Sequence, residues 1–158
     1  MKFLDPNLDV RMLADGRHWQ SLAEFDYHIG SPAGTSIVRC EVGAISDFAS
    51  SPRIMWSILP PTGRYAKACF LHDELYRTGH VWDTLTEQWV DISRKYADGV
   101  LAEACRVLAA DEMLTYGAKH TELADYCDRV MLYEGVRLFA GPVWNRYRRA
   151  STTGRTAA

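Results

Sequence analysis

Apolar positions recur at every second residue early in the chain, and at every third and fourth residue after Asp47. Val10 opens a strand-like run, and Asp15-Gly16 reads as a two-residue hairpin turn. The returning strand takes in Trp19, Leu22 and Phe25, reaching Tyr27 or Ile29. Residues 30–34 (G-S-P-A-G) read as a loop, and the β-branched run 37–42 predicts a third strand. With an irregular arm over residues 1–9, the first 45 residues predict a small antiparallel sheet.

After Asp47 the pattern is helical. Ser50 or Ser51 before Pro52 suits a helix start, with Ile54, Met55, Ile58 and Leu59 as an apolar face. Pro60-Pro61-Thr62-Gly63 ends it. A second helix is predicted over residues 64–78, with Gly79 as its C-cap. Asp83 reads as the cap of a long third helix over 84–110, whose apolar stripe includes Trp89, Ile92, Tyr96, Val100, Leu101, Ala104 and Leu108. Gly117 marks a break, Thr121 begins a fourth helix, and Gly141-Pro142 stops it. The expected fold class is α+β: a small N-terminal antiparallel sheet followed by about four helices. In it the helix carrying His72 and Asp73 packs against a long antiparallel helix. Residues 1–145 are expected to form a single domain and residues 146–158 a C-terminal tail.

Composition narrows the class without naming a reaction. A chain of 158 residues suits one core. Its 18 Lys and Arg against 20 Asp and Glu give a formal charge of -2, with no electrostatic case for a nucleic-acid partner. Arg146, Arg148 and Arg149 form one basic cluster, read as a solvated helix end or tail. The N-terminal residues lack the apolar run of a signal peptide, and no apolar stretch approaches the ~20 residues of a transmembrane segment. The expectation is a soluble protein made in the cytoplasm. Cys40, Cys69, Cys105 and Cys127 show no C-x-x-C pair and read as free thiols rather than a zinc site.

The candidate chemistry lies between Asp47 and Tyr76, where an acidic residue, a Pro-Pro-Thr-Gly loop and His72-Asp73-x-x-Tyr76 fall close together. Successive helix positions differ by about 100°, so His72 and Asp73 point apart, while His72 and Tyr76, four residues apart, share a face. A division of labour follows, with His72 towards a water and Asp73 towards a cation or a loop. A histidine base needs a carboxylate on its other ring nitrogen, and Asp47 and Asp98 are the candidates. The same polar set is also compatible with a buried structural network. His18, His28, His80 and His120 lack ligand spacing and read as surface or packing residues.

The motifs S-D-F-A-S-S-P-R, G-x-Y, H-D-x-x-Y, R-x-x-A-D and Y-x-x-V-R-x-F resemble a family of small phage and prophage proteins of unknown function. The matching positions are Asp47, Ser50, Pro52, Arg53, His72, Asp73, Tyr76, Arg94, Asp98, Tyr133 and Arg137, while Glu41, Ala44 and Ser46 depart from the usual pattern. This resemblance implies a bacteriophage protein, such as a tail, neck or baseplate component of the virion. Its partners would be other phage structural proteins in an oligomeric assembly, reached from the host cytoplasm.

The helix G-R-Y-A-K-A-C-F-L-H-D-E-L-Y is remotely similar to that of calcium-dependent phospholipase A2 enzymes. That similarity implies His72 as the base, Asp98 as the carboxylate orienting it, and Tyr76 in support. Asp73 would be a Ca2+ ligand, and phospholipid the substrate. This chain has one glycine in P-P-T-G-R where those enzymes carry several, which leaves Asp47 to complete any cation site.

Overall fold

Alternating burial builds the first sheet. In β3 (Phe25–His28), Phe25 and Tyr27 are buried while Asp26 and His28 stay partly exposed, the period-two pattern of a half-buried strand. It pairs antiparallel with β4 (Ser36–Cys40), placing Phe25 opposite Cys40 and Tyr27 opposite Val38. A computed structural model describes Phe3 and residues 7–47, 65–116 and 122–155; for 111–116, 122–129, 131 and 151–155 it describes the backbone alone. The short helix predicted after Pro52, the Pro-Pro loop, the break at Gly117, the helix start at Thr121 and the Cys127 thiol lie outside these bounds.

The remaining elements are β1 (Val10–Met12), β2 (Trp19–Ser21), β5 (Ile45–Ser46), α1 (Ala66–Thr78), β6 (His80–Asp83), β7 (Gln88–Asp91), α2 (Arg94–Tyr116), α3 (Glu122–Phe139) and α4 (Gly141–Arg155). One sheet has the order β1-β2-β5 and the other β3-β4-β6-β7, with every pairing antiparallel. The α+β class is as the pattern predicts.

α1 is the centre of this arrangement. Ala68, Leu71, Leu75 and Tyr76 are fully buried, and Lys67, Phe70, His72 and Glu74 nearly so, because α2, α4, β4 and β5 all pack on it. Gly79 ends α1 in the left-handed conformation, φ 76°, its N–H donating to the Leu75 carbonyl at 2.8 Å. The predicted C-cap is therefore present. α2 supplies Ala97, Val100, Leu101, Ala104 and Cys105 to the same core.

Four expectations change. The strand expected to run from Trp19 through Phe25 is two strands, β2 and β3, in different sheets. Asp15-Gly16 is not a two-residue turn: residues 13–18 connect β1 to β2, and the Asp15 side chain accepts from the N–H groups of Arg17 and His18. The third helix does not start at Asp83. Residues 80–91 form the β6–β7 hairpin, in which Trp82 faces Trp89, and α2 begins at Arg94. The expected tail from residue 146 is helical through Arg155, as the second half of α4.

The two outer helices are fastened by arginines. Arg94 on α2 donates to the carbonyl of Arg137 at 3.0 Å, at the end of α3. Arg148 on α4 donates to the carbonyls of Tyr76, Arg77 and Thr78 at 2.9–3.0 Å, at the end of α1. The final carbonyls of a helix lack internal partners and carry its negative dipole end, so a guanidinium satisfies both needs.

Candidate active site

His72 sits mid-α1 and Asp98 in the second turn of α2, both essentially without solvent exposure at 1% and 0%. The His72 Nε2 lies 3.0 Å from Asp98 Oδ1. Tyr76, one turn after His72, donates its hydroxyl to the same oxygen at 2.6 Å, and the two rings lie tilted at 45° with centroids 4.2 Å apart. Arg137 of α3 donates to the other carboxylate oxygen at 2.8 Å. A buried carboxylate thus takes hydrogen bonds from two positions on one face of α1 and from one on α3.

Electrostatics follow from this geometry. Burial pushes the Asp98 carboxyl up, yet the hydrogen bonds from His72, Tyr76 and Arg137 outweigh it and hold the group below its usual value. Burial, and then the bond to Asp98, pushes the Tyr76 phenol well above its usual value, so it remains a donor. Asp98, not Asp47, is therefore the carboxylate on His72. Among the described residues the other ring nitrogen, Nδ1, has no hydrogen-bond partner.

Asp73 faces elsewhere, as the helical angle requires. It accepts a hydrogen bond from the Ser46 hydroxyl of β5. Asp73, Asp47 and Tyr76 line a cleft of about 280 Å³, with Arg17 and His18 from the β1–β2 connection and Val143, Arg146 and Tyr147 from α4. Tyr76 thus belongs to both places: its hydroxyl holds Asp98 and the residue forms part of the cleft wall. Trp144 packs edge-on against its ring at 5.1 Å.

The geometry groups His72, Tyr76 and Asp98 in one network and Asp47 and Asp73 in the adjoining cleft. Spacing alone did not bring in Arg137 or Ser46. Arg137 carried a signal in Y-x-x-V-R-x-F, but nothing in its own helix pattern pointed to Asp98. Ser46 opens the motif S-D-F-A-S-S-P-R, but its bond to Asp73 depends on β5 lying against α1. His18, expected at the surface or in packing, is a cleft residue whose Nδ1 meets the Asp15 carboxylate.

The sequence matches the model of a family described as protein of unknown function, DUF1353, over residues 19–116. The chain belongs to the DUF1353 family. The DUF1353 match runs from the first residue of β2 to the last of α2, so it contains Asp47, His72, Asp73, Tyr76 and Asp98 and stops before Arg137 and α4. Comparisons with curated proteins and with solved structures returned no match.

Calcium takes six to eight oxygen ligands. Among the described residues two carboxylates, Asp47 and Asp73, line the cleft, and no three His, Cys, Asp or Glu side chains converge as a metal group. That set by itself falls short of a calcium shell. Among the described residues no helix is long and apolar enough to cross a membrane.

Proposed function

We propose that this protein is a His-Asp hydrolase of phage or prophage origin that cleaves carboxylic esters, with phospholipid as the substrate class. The observation carrying this reading is the asymmetry of His72: Asp98 holds Nε2 at 3.0 Å, and Nδ1 has no partner among the described residues. With Nε2–H donated to Asp98, the Nδ1 lone pair is the free base. It removes a proton from a water as the water oxygen attacks the ester carbonyl carbon. The imidazolium that forms is stabilised by the Asp98 carboxylate, which Tyr76 and Arg137 hold in its charged form. Collapse of the tetrahedral intermediate breaks the bond to the leaving alkoxide, and the proton on Nδ1 passes to that oxygen. Tyr76 and Arg137 position Asp98; His72 touches the reacting water.

A second reading is supported by the burial of the same network. His72 is 1% exposed, and Asp98 is engaged by donors from α1 and α3. Such a network also suits a virion-associated protein, of tail, neck or baseplate, in which these residues lock three helices together.

Fatty-acid release from mixed phospholipid micelles separates the two. The hydrolase reading expects release by the wild type and none by a folded His72→Ala variant. Running the assay with calcium and with chelator tests whether Asp47 and Asp73 recruit a cation. Equal release by wild type and His72→Ala, or none by either, would sink the hydrolase and leave the structural reading, for which the chain should copurify with particles.

A further inference from the structure

The cleft beside the His72 network contains an arrangement that ester hydrolysis by His72 does not use. Arg17, in the β1–β2 connection, and Arg146, on α4, both line it. They come from segments more than a hundred residues apart in the chain. Among the described residues neither guanidinium has a hydrogen-bond or ion-pair partner; Arg146 lies only over the neighbouring Tyr147 ring, at 5.5 Å. Arg106, exposed on α2, is likewise uncommitted, whereas most other described arginines are not. Arg39 pairs with Asp26, Arg77 with Glu74 and Arg137 with Asp98, while Arg94 and Arg148 bond helix-end carbonyls. Two cations left uncommitted at one concave site, each with planar donors suited to paired oxygens, make a receptor for a compact oxyanion.

We infer that Arg17 and Arg146 form a clamp for a phosphate group, seated in the cleft next to Tyr76. The volume, about 280 Å³, is at the small end of ligand pockets and suits a head-group fragment rather than a whole amphiphile. Asp47 and Asp73 share the cleft, and Asp73 is held by Ser46. Their charge disfavours a bare polyanion relative to a singly charged diester. His18, tied to Asp15, and the phenols Tyr76 and Tyr147 are the other titratable groups lining the cleft. The clamp itself stands on the two guanidiniums; its use as the seat of a phospholipid head group rests on the hydrolase reading.

The test is amide chemical-shift titration of the full-length protein with two soluble probes, sn-glycero-3-phosphoethanolamine and inorganic phosphate. Saturable shifts at residues 17–18 and 146–147 are expected from the diester. Single Arg17→Gln or Arg146→Gln variants should weaken binding about ten-fold each, and the double variant should abolish it. Saturation by inorganic phosphate alone, with the same loss in the double variant, assigns the clamp to free phosphate. The clamp is overturned by no saturable shift from either probe, or by undiminished binding in a folded double variant. Saturable diester binding by a wild type that releases no fatty acid from micelles keeps the clamp and removes the hydrolase, so the two ideas fail separately.

Discussion

The guanidinium of Arg148 occupies the space that a Cβ on Gly79 would fill, with Nη1 only 1.2 Å from that position. The glycine is required twice over. Its φ of 76° is left-handed, and its missing side chain admits the arginine that bonds the last carbonyls of α1.

Gly79→Ala should therefore destabilise the protein by at least ~2 kcal/mol, combining left-handed strain with displacement of the Arg148 hydrogen bonds. Urea unfolding of Gly79→Ala, Arg148→Met and the double variant checks this. The two losses should add to more than the double variant shows, because both break one contact. A Gly79→Ala protein within ~0.5 kcal/mol of wild type would contradict the packing described.

Asp98 gives a prediction with a pH signature. Replacing it by Ala leaves the His72, Tyr76 and Arg137 donors without their shared acceptor, and should cost about 3–5 kcal/mol at neutral pH. Its carboxyl lies below the ordinary value of 3.8 in the folded protein. The unfolded chain then takes up the proton first as pH falls, so Asp98 contributes stability above 3.8 and loses it on the way down to its lower folded value. The gap in unfolding free energy between wild type and Asp98→Asn should hold above that window and narrow within it. A gap that widened on acidification would mean that the carboxyl binds its proton more readily in the folded protein than in the unfolded chain.

The activity of His72 and Tyr76 should separate by role. His72→Ala should reduce ester hydrolysis by about 10²–10⁴-fold, the usual contribution of a positioned base. Tyr76→Phe keeps the ring against Trp144 but removes one hydrogen bond to Asp98, and a loss of roughly 10–100-fold is expected. Initial rates on the same micellar substrate give both numbers. Equal losses in the two variants would mean that the tyrosine does more than position Asp98.

Lys67 is buried on α1, with its ammonium donating to the Asn7 carbonyl at 2.7 Å and lying 4.9 Å from the ring centres of Phe3 and Phe25. Lys67→Met should lower stability by about 1–3 kcal/mol, chiefly by releasing the N-terminal segment. Hydrogen exchange is the readout: amides near residues 7–10 should exchange faster while those of α1 stay protected. Uniform acceleration across the chain would point to general destabilisation instead.

Much of this was legible in the sequence, and the failures have physical causes. The period of four joining His72 to Tyr76 and Gly79 at the end of an apolar-periodic run sufficed to place α1 and its cap. Of the two carboxylates that the sequence offers His72, Asp47 and Asp98, the one within hydrogen-bond distance is Asp98. The β6–β7 hairpin was missed because Asp83 does there what a helix cap does. Its side chain accepts from the N–H groups of Leu85 and Thr86, two and three residues on, at 2.8 and 3.1 Å. An N-cap and an Asx turn share that bonding pattern, and only the backbone that follows distinguishes them. Here Glu87, φ 51°, turns the chain back instead of winding it forward.

The C-terminal part failed for a different reason. Serine, threonine and glycine in 151–155 read as tail, but α4 is held by tertiary contact, through Trp144 on Tyr76 and Arg148 on α1. Local propensity contains neither. The bond from Arg137 to Asp98 was not readable on the same grounds, although its motif marked the residue, because its partner lies 39 residues away on another helix.

Arg148 reaches back 70 residues to the Thr78 carbonyl. A ribosome delivers the chain from its N-terminal end at ~5–20 residues per second, so α1 waits roughly 4–14 s for the side chain that closes it. Arg137, which steadies Asp98, arrives only shortly before. During synthesis the histidine helix thus emerges well before the two arginines that complete it, and the site stays unfinished until both have followed.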